Sequence, residues 1–561
     1  MSNLWRRMLT GSAAGVIGSV LLVTTWTADW LAVLVGILAG VAFSLAFRPA
    51  AGLPLDGVMA GGTTGIALWV AVSVIAEPVL RGEGAQWEAA GLGRLFPNLV
   101  GWILFGAVLS LLVRIGVSLA ERVLGPELPP SLPVAPTPAR IVVLGGGFAG
   151  VTAMSYLEQR FGGNPAVSFS LVSDTNALLF TPMLAEVAAS SLEASHISAP
   201  LRTSLRRTRV VRGEVTRIDL ERRTVCLAAT SQGSEHEEPF DHLVLALGAV
   251  SNYLGMEDVK AEAFDFKSLE DAIRIRNHVI EMFERADREP NPAARQAMVT
   301  FVIAGGGFAG AELAGGVNDF ARGMLAYYPQ IPPEEVRVVL VHSRDRILPE
   351  LGDGLAAYAL ERMRARGVTF KLNTRVAGAR RGVVLLSPDE ELATETLVWT
   401  AGTRPNPLLA HLPLELDRRG AVVVEGTLAV PGHPGVWALG DCAAVPNAES
   451  GETSPPTAQF ALRQGKTLAA NVQASLAGQP LHPFRFKAIG ALCVVGHHTA
   501  CAEVYGRRFS GFFAWLMWRG IYVGKLPGLE RKLHVLTDWL AELFFPRDIV
   551  QTLSVTRERE D

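Results

Sequence analysis

Cysteine and charge are both scarce in this chain of 561 residues. The four cysteines, Cys226, Cys442, Cys493 and Cys501, include no CxxC pair, which excludes a disulfide framework and a cysteine-rich zinc site. Charged residues are only 19% of the total, and 51 Lys and Arg nearly balance 54 Asp and Glu. No whole-chain field therefore points to nucleic acid. Apolar residues fill the space, at 49% and a mean hydropathy of +0.28. That composition excludes a disordered chain and fits poorly with a wholly soluble one. The length allows three or four structural units.

The apolar excess is concentrated near the amino terminus. Met8–Ala28, Trp30–Phe47, Val58–Ile75 and Phe96–Val113 are uncharged and each long enough to cross a bilayer as a helix. A secretory leader would explain one such stretch but not four in succession. Trp5, Trp26, Trp30 and Trp102 fall near the ends, where interfacial tryptophans collect. Asp29 alone separates the first two stretches, so they form either a very tight hairpin or a re-entrant pair. Arg6, Arg7, Arg48, Arg114 and Arg122 fall on one side, against Arg81 and Arg94 with Glu77, Glu83 and Glu88 on the other. The arginine-rich side is the inner one, which places everything after the fourth span in the cytoplasm. A segment holding Pro126, Pro129, Pro130, Pro133, Pro136 and Pro138 follows and reads as a semi-rigid polyproline spacer.

Directly after the spacer, the β-branched run Arg140–Leu144 feeds Gly145, Gly147 and Gly150, with Phe148 and Ala149 between the last two. In such a turn the first glycine permits the bend. The second lets backbone approach a pyrophosphate, and the third lets helix pack on strand. The helix amino terminus then faces the phosphates. The device recurs 160 residues on, where Thr300–Ala304 leads into Gly305, Gly307, Phe308, Ala309 and Gly310. Two near-identical copies argue for two nucleotides bound by one protein. A third element, the apolar strand Val436–Leu439 ending in Gly440 and Asp441, lies far downstream of both.

These three elements together resemble the two-dinucleotide flavoprotein superfamily. The resemblance implies that the first fingerprint holds FAD, the second holds NADH or NADPH, and the Gly440–Asp441 strand returns to the FAD domain. Segments ending in Gly248 and Gly402 look like the superfamily's two crossovers. The superfamily's thiol-dependent members need a cysteine early in the FAD domain, whereas the first here is Cys226. Cys442 reads as a small buried residue. Electrons must then leave the flavin directly, and for a membrane-anchored enzyme the obvious acceptor is a quinone.

The chain is similar, over about residues 140–545, to type II NADH:quinone oxidoreductases. Leu179–Leu184 is similar to that family's stretch beside the flavin ring, Phe266–Asn277 to its linker helix, Pro455–Gly465 to its AQxAxQ quinone signature, and Pro483–Gly496 to the strand opening its carboxy-terminal domain. The implied FAD contacts are Ser173 or Asp174, Thr181, Pro182, Val215, Gly248, Gly440, Asp441 and Ala458, beside the first fingerprint. The second fingerprint, His342, Arg344 and Gly402 take the nicotinamide nucleotide. Glu312 matches the family's acidic residue after the second fingerprint and would place the nicotinamide or deliver a proton. Gln459 would contact quinone and flavin. Arg463 stands where the signature has its second glutamine, with Gln464 just behind. Lys487 is a possible charge partner of reduced flavin.

One departure bears on the substrate. The acid that normally binds the adenosine ribose is replaced by His342, with Ser343 and Arg344 following. A carboxylate there accepts from the 2′-hydroxyl and repels a 2′-phosphate, and His and Arg do the reverse. NADPH is thus as open as NADH, unless His342 and Arg344 merely end a solvated strand. The adjacent His497 and His498 lack a third metal ligand placed by spacing, so no metal is expected.

The expected architecture is α/β: two Rossmann-like dinucleotide-binding domains, preceded by a transmembrane helical domain and followed by a small membrane-associating domain. The divisions are 1–123 for the spans, 124–139 for the spacer, and 140–265 and 399–475 for the FAD domain. The NAD(P)H domain takes 266–398 and the carboxy-terminal domain 476–561. In the tail, Leu529, Leu533, Leu536, Leu540, Leu543 and Phe544 share one helical face, with Glu530, Arg531, Lys532, His534, Asp538 and Glu542 away from it. That helix could face a core, but beside the aromatic run Phe509–Trp518 and Trp539 it is expected to lie in a membrane interface. The expected protein is a multi-pass enzyme of the inner membrane, facing the cytoplasm. It passes electrons from NAD(P)H through FAD to quinone without proton pumping, and a homodimer is possible. Alternatives are a reductase of another acceptor, or a redox-sensing or assembly flavoprotein serving the four spans.

Overall fold

The computed structural model describes residues 3–23, 29–46, 54–82, 84, 89–124, 138–228 and 236–551. The chain divides into two compact units, Met1–Ser131 and Leu132–Asp561. Most of the expected proline spacer, and the turn before Asp29, lie outside the described residues.

The first unit is helical: Asn3–Val23, Asp29–Ala46, Pro54–Leu80 with a wider π-type turn at Val70–Ala76, and Ala89–Leu124. Small residues set its packing. A Cβ on Gly15 would lie 2.1 Å from the Gly36 carbonyl oxygen, and one on Gly61 would lie 2.1 Å from that of Gly106. The helices therefore pair backbone to backbone, as helices do where no water drives them together. Leu38, Phe96, Val100 and Leu104 point outward, leaving an apolar exterior. Two segments, Gly61–Val79 and Leu95–Val117, have the length and composition of crossing helices among the described residues. Met8–Ser19 and Val33–Ser44 are apolar but shorter than the roughly 20 residues a crossing needs. Trp102 is not interfacial. It is buried within the helices, its indole N–H donating to Ser73 Oγ at 3.0 Å, because the π-type turn brings that hydroxyl inward.

The second unit contains two five-stranded parallel sheets of like order. The first runs Val436–Ala438, His242–Leu245, Ala139–Leu144, Val167–Ser173, Arg209–Arg212, so the late Gly-Asp strand is its edge. The second runs Phe264–Asp265, Thr396–Trp399, Thr300–Ala304, Arg337–Val341, Val368–Lys371. Each central strand is an apolar run buried on both faces, as helix-covered parallel sheets require. The segments after Gly248 and Gly402 pair with each other, Ala249–Ser251 against Thr403–Pro405, and so tie the two folds together. A three-stranded antiparallel sheet, Gly490–Gly496, Thr499–Val504 and Arg507–Ser510, precedes helices Gly511–Lys525 and Leu529–Ala541.

Candidate active site

Both glycine turns are built alike. Gly145 and Gly305 have φ of +115° and +118°, and their N–H groups donate to Val172 and Val341 carbonyls, each at 2.8 Å. A Cβ on Gly150 or Gly310 would lie within 2.0 Å of the first glycine's carbonyl oxygen, so helix presses on turn in both copies. Around Gly147, by contrast, nothing lies within 4 Å of where a Cβ would stand, and its helix, Phe148–Phe161, begins there without a side-chain cap. Open backbone at an uncapped helix start suits a pyrophosphate. Gly440 packs against Ala149, with 2.9 Å between its would-be Cβ and that side chain, which puts Asp441 at the mouth of the same turn. Burial raises the Asp441 pKa, opposed by Lys267, at the start of the expected linker helix, and by Arg419, which no motif announces. These residues fit a dinucleotide. Gly248, at φ +66°, also borders open space, while Val215 opens an outlying antiparallel sheet and is half-buried.

The repeat settles the register of the missing acids. Ser173 Oγ would touch a Cβ on Gly146, and the His342 ring would touch one on Gly306. With the matched Val172 and Val341 bonds, Ser173 and His342 occupy equivalent positions. Ser173 is buried, whereas Asp174 is exposed and carries the only carboxylate of that dipeptide. His342 Nδ1 accepts the Gly306 N–H at 3.1 Å, so its remaining proton belongs on Nε2, which is buried without a partner. Burial, then Arg344, lowers the His342 pKa and keeps the ring neutral. Arg344 itself is exposed. Glu350, which no motif marks, has Oε1 3.4 Å from a Cβ position on Gly307, where its charge would repel a phosphate.

Glu312 lies one turn into helix Phe308–Met324. Gly315 lets this helix touch strand Gly490–Gly496, with a Cβ there only 2.7 Å from Val495 backbone, and Glu312 Oε1 accepts the Val494 N–H at 3.2 Å. Burial pushes its pKa up to about 8, with nearby Glu186 adding to the rise. Thr181 and Pro182 form a short 3-10 turn after Phe180, whose ring meets Phe148 and Tyr522 at 5.7 and 6.1 Å. Tyr522 thus joins the carboxy-terminal helix to the first fingerprint, and it was not foreseen.

The quinone signature becomes helix Ala458–Leu476, packed on the first fingerprint helix. Gln459 Nε2 donates to the Gly490 carbonyl at 3.3 Å. Arg463 is exposed, its guanidinium 5.5 Å from the Phe486 ring. Gln464, expected beside the headgroup, is buried, and its Oε1 accepts the Gly440 N–H at 2.8 Å, so that oxygen braces the Gly-Asp strand. Lys487 is exposed. Lys525, unassigned by the sequence, has its pKa lowered by burial and then by Arg463. Cys442 donates its thiol to Leu245 and Leu439 carbonyls, and burial pushes it up to about 11, out of reactive range.

The tail helix does not turn its leucine stripe to a core, although Leu529 itself is buried. Glu542 is only 8% exposed, and Asp538 contacts His196 at 2.6 Å. Leu529 and Trp539 are buried, whereas Leu533, Leu540, Leu543 and Phe544 face outward beside Phe512, Phe513 and Leu516. Glu542 turns inward because Arg519 and Arg547 are there to receive it.

The profile of the pyridine nucleotide-disulphide oxidoreductases matches residues 139–465, and that of the NDH2 C-terminal domain matches 489–548. The chain is 32% identical over 428 residues to the type II NADH:quinone oxidoreductase Ndh of Mycobacterium tuberculosis, covering 73% of this chain and 90% of that protein. This chain belongs to the type II NADH:quinone oxidoreductase family. A probable NADH dehydrogenase of Dictyostelium discoideum is 30% identical over 417 residues, covering 73% and 90% of the two chains. NDH2 of Plasmodium falciparum, solved in complex with NADH, shares the fold at a TM-score of 0.68 and 17% identity. The alignment covers 73% of this chain and 99% of that one.

Proposed function

We propose that the protein is a membrane-bound dehydrogenase that oxidises NADH or NADPH and reduces a membrane quinone. The observation that carries this reading is the wedging of Glu312, at the second nucleotide turn, against the carboxy-terminal sheet next to the Gln459–Gly490 contact. FAD, when bound by the first fold, supplies a group that takes hydride and returns two electrons. The chain's own residues do the rest. Gly147 and the helix start at Phe148 bind the FAD pyrophosphate, and Asp174 and Asp441 take its hydroxyl-rich portions, with Thr181, Pro182 and Ala458 beside the ring. Gly307 and Gly310 seat the nicotinamide nucleotide under Glu312.

The quinone reading places the headgroup near Gln459, with Arg463 and Lys525 as cations able to stabilise a reduced anion. His342 offers a donor where an acid would accept, so NADPH is a substrate alongside NADH. The outward apolar face of Phe512, Phe513, Leu516 and Leu540 supports docking of this unit on lipid. The apolar exterior of the first unit supports spans, four by the sequence pattern, with the catalytic unit in the cytoplasm. The spans hold too few buried charges to form an ion path, so turnover does not pump.

Anaerobic stopped-flow mixing tests this. Flavin absorbance should bleach with NADH and with NADPH, then recover on adding a quinone analogue. Bleaching without recovery moves the acceptor elsewhere, and no bleaching with either nucleotide overturns the reading.

A further inference from the structure

Helix Phe308–Met324 begins at the second nucleotide turn and ends beside a cavity of about 510 Å³, which Glu542, Phe545, Arg547 and Ile549 of the carboxy-terminal chain also line. At 1.5 Å per residue, Asn318 in its wall stands about 15 Å along the helix from Phe308. The cavity is therefore separate from the nucleotide turn.

The charges lining it do not balance: Arg322, Arg366 and Arg547 meet Asp319 and Glu542, three guanidiniums against two carboxylates. Two of the cations are paired within the protein. Arg366 donates to Asp319 Oδ1 at 2.6 Å and to the His497 carbonyl at 3.1 Å. Arg547 donates to Glu542 Oε1 at 3.0 Å and to the Ala189 carbonyl at 3.2 Å. Glu542 also receives Arg519 at 2.9 Å, so it has no charge left for a third partner. Arg322 is different. Its Nε donates to Asn318 Oδ1 at 3.1 Å and its Nη2 to the Gly367 carbonyl at 3.4 Å, and among the described residues no carboxylate reaches it. Asn318 is buried and fixed by its own bond to the Arg366 carbonyl at 3.1 Å. Gly367, at φ +96°, leaves the guanidinium its place, since a Cβ there would lie 2.2 Å from Nη2. Burial, then His498, lowers the His497 pKa, so that ring stays neutral and adds no charge.

A half-buried cation held only by neutral acceptors at a cavity wall suits a monoanion. The rim indicates what carries it. Phe545 lines the cavity and is 69% exposed, following the exposed Leu543 and Phe544. His497, also in the lining, has its ring centroid 3.6 Å from that of His498, which in turn meets Phe512 of the outward apolar face at 5.9 Å. The cavity is thus continuous with that face by two routes.

We propose that the cavity binds the phosphodiester headgroup of an anionic phospholipid, with Arg322 on the phosphate and the acyl chains lying over Phe545 toward Phe512. This rests on the docking of the carboxy-terminal unit on lipid. A phosphodiester carries one negative charge, which matches the one surplus guanidinium. A zwitterionic headgroup would bring a further cation beside Arg366 and Arg547. The volume admits a glycerol phosphate head with the first carbons of its chains. A lipid held there fixes the apolar face at the bilayer by a specific contact in addition to its area.

Native mass spectrometry of the delipidated full-length protein, released from detergent, counts bound lipid. One dioctanoyl phosphatidylglycerol per chain should bind roughly tenfold or more tightly than dioctanoyl phosphatidylcholine. Arg322→Gln should weaken that lipid roughly tenfold or more and leave phosphatidylcholine unchanged. Tyr327→Glu puts a carboxylate at an exposed position of the same lining and should do likewise, which keeps the test open if Arg322→Gln fails to fold. Inorganic phosphate in excess should leave the lipid bound, and displacement by it would overturn the lipid in favour of a soluble anion. Equal binding of the two lipids, or binding indifferent to both substitutions, overturns the site. The docking reading fails separately: in Phe513→Asp with Leu516→Asp, an unchanged KM for a long-tailed quinone with the lipid still bound overturns docking and leaves the headgroup site standing.

Discussion

Replacing His342 with Asp tests the nucleotide assignment at the point where the two folds differ most. His342 and Ser173 are equivalent by their matched strand bonds, so the new carboxylate would stand where an acid meets the adenosine ribose. It would still accept the Gly306 N–H that His342 Nδ1 now takes at 3.1 Å, so the turn should survive. It exchanges a neutral donor for a charged acceptor. A hydrogen bond from the 2′-hydroxyl to a carboxylate is worth about 1.5–3 kcal/mol. At 1.4 kcal/mol per decade, NADH should gain roughly 10- to 100-fold over NADPH. Repulsion of the 2′-phosphate adds to that, while the exposed Arg344 offsets part of it. The assay is the rate of flavin bleaching against concentration for each nucleotide, in native protein and in His342→Asp. A selectivity ratio that moves by less than about threefold would refute the placement of His342 beside the ribose.

Four further outcomes follow from the packing. Gln464→Leu leaves the Gly440 N–H without its acceptor, at a cost of about 1–3 kcal/mol, so the purified protein should hold less flavin; a full complement would show the brace to be idle. Gly15→Leu drives a side chain into the Gly36 carbonyl and should lower the unfolding midpoint of the helical unit in detergent, an effect that loosely packed helices would not show. Phe513→Asp combined with Leu516→Asp should raise KM roughly tenfold for a long-tailed quinone while sparing a short-tailed one; equal effects on both would count against lipid docking. Glu312 and Glu186, raised to about 8 and about 7, bind their protons more tightly folded than unfolded, so their contribution is complete below an unfolded value near 4.5 and is lost as pH rises through 7 to 8. Thermal stability of the 132–561 unit should accordingly fall between about pH 6 and about pH 9, and a rise over that range would contradict the burial of these two acids.

The nucleotide turns were legible because everything they need is contiguous: an apolar strand, three glycines and a helix start within a dozen residues. The Gly440–Asp441 strand was legible only through resemblance, since its partner strand at His242–Leu245 lies some two hundred residues earlier. Gln464 shows the limit of a signature. Two adjacent helix positions differ by about 100° around the axis, so the replacement at Arg463 and the glutamine behind it face opposite environments. Arg463 remains at the surface, and Gln464 is turned into the core toward Gly440.

The tail carries the larger lesson. Read from its pattern alone, the helix can turn its leucines to a core or to a membrane interface, with its acids away from them in either case. Here Leu540 is exposed and Glu542 buried, and the two placements have separate causes. Arg519 and Arg547 come from different turns of the chain, and without them an ionised Glu542 in that position would carry an uncompensated desolvation cost of several kcal/mol. The leucines, for their part, gain nothing from facing water, and with Phe512, Phe513 and Leu516 they form the apolar patch that the proposed docking on lipid would cover. One helix thereby joins that patch to the ion pairs of Glu542 with Arg519 and Arg547. A perturbation on its outer face and one on its inner face should be separable by experiment: the first should change KM for a long-tailed quinone, and the second should lower folding stability, because removing Glu542 leaves buried guanidinium groups unpaired.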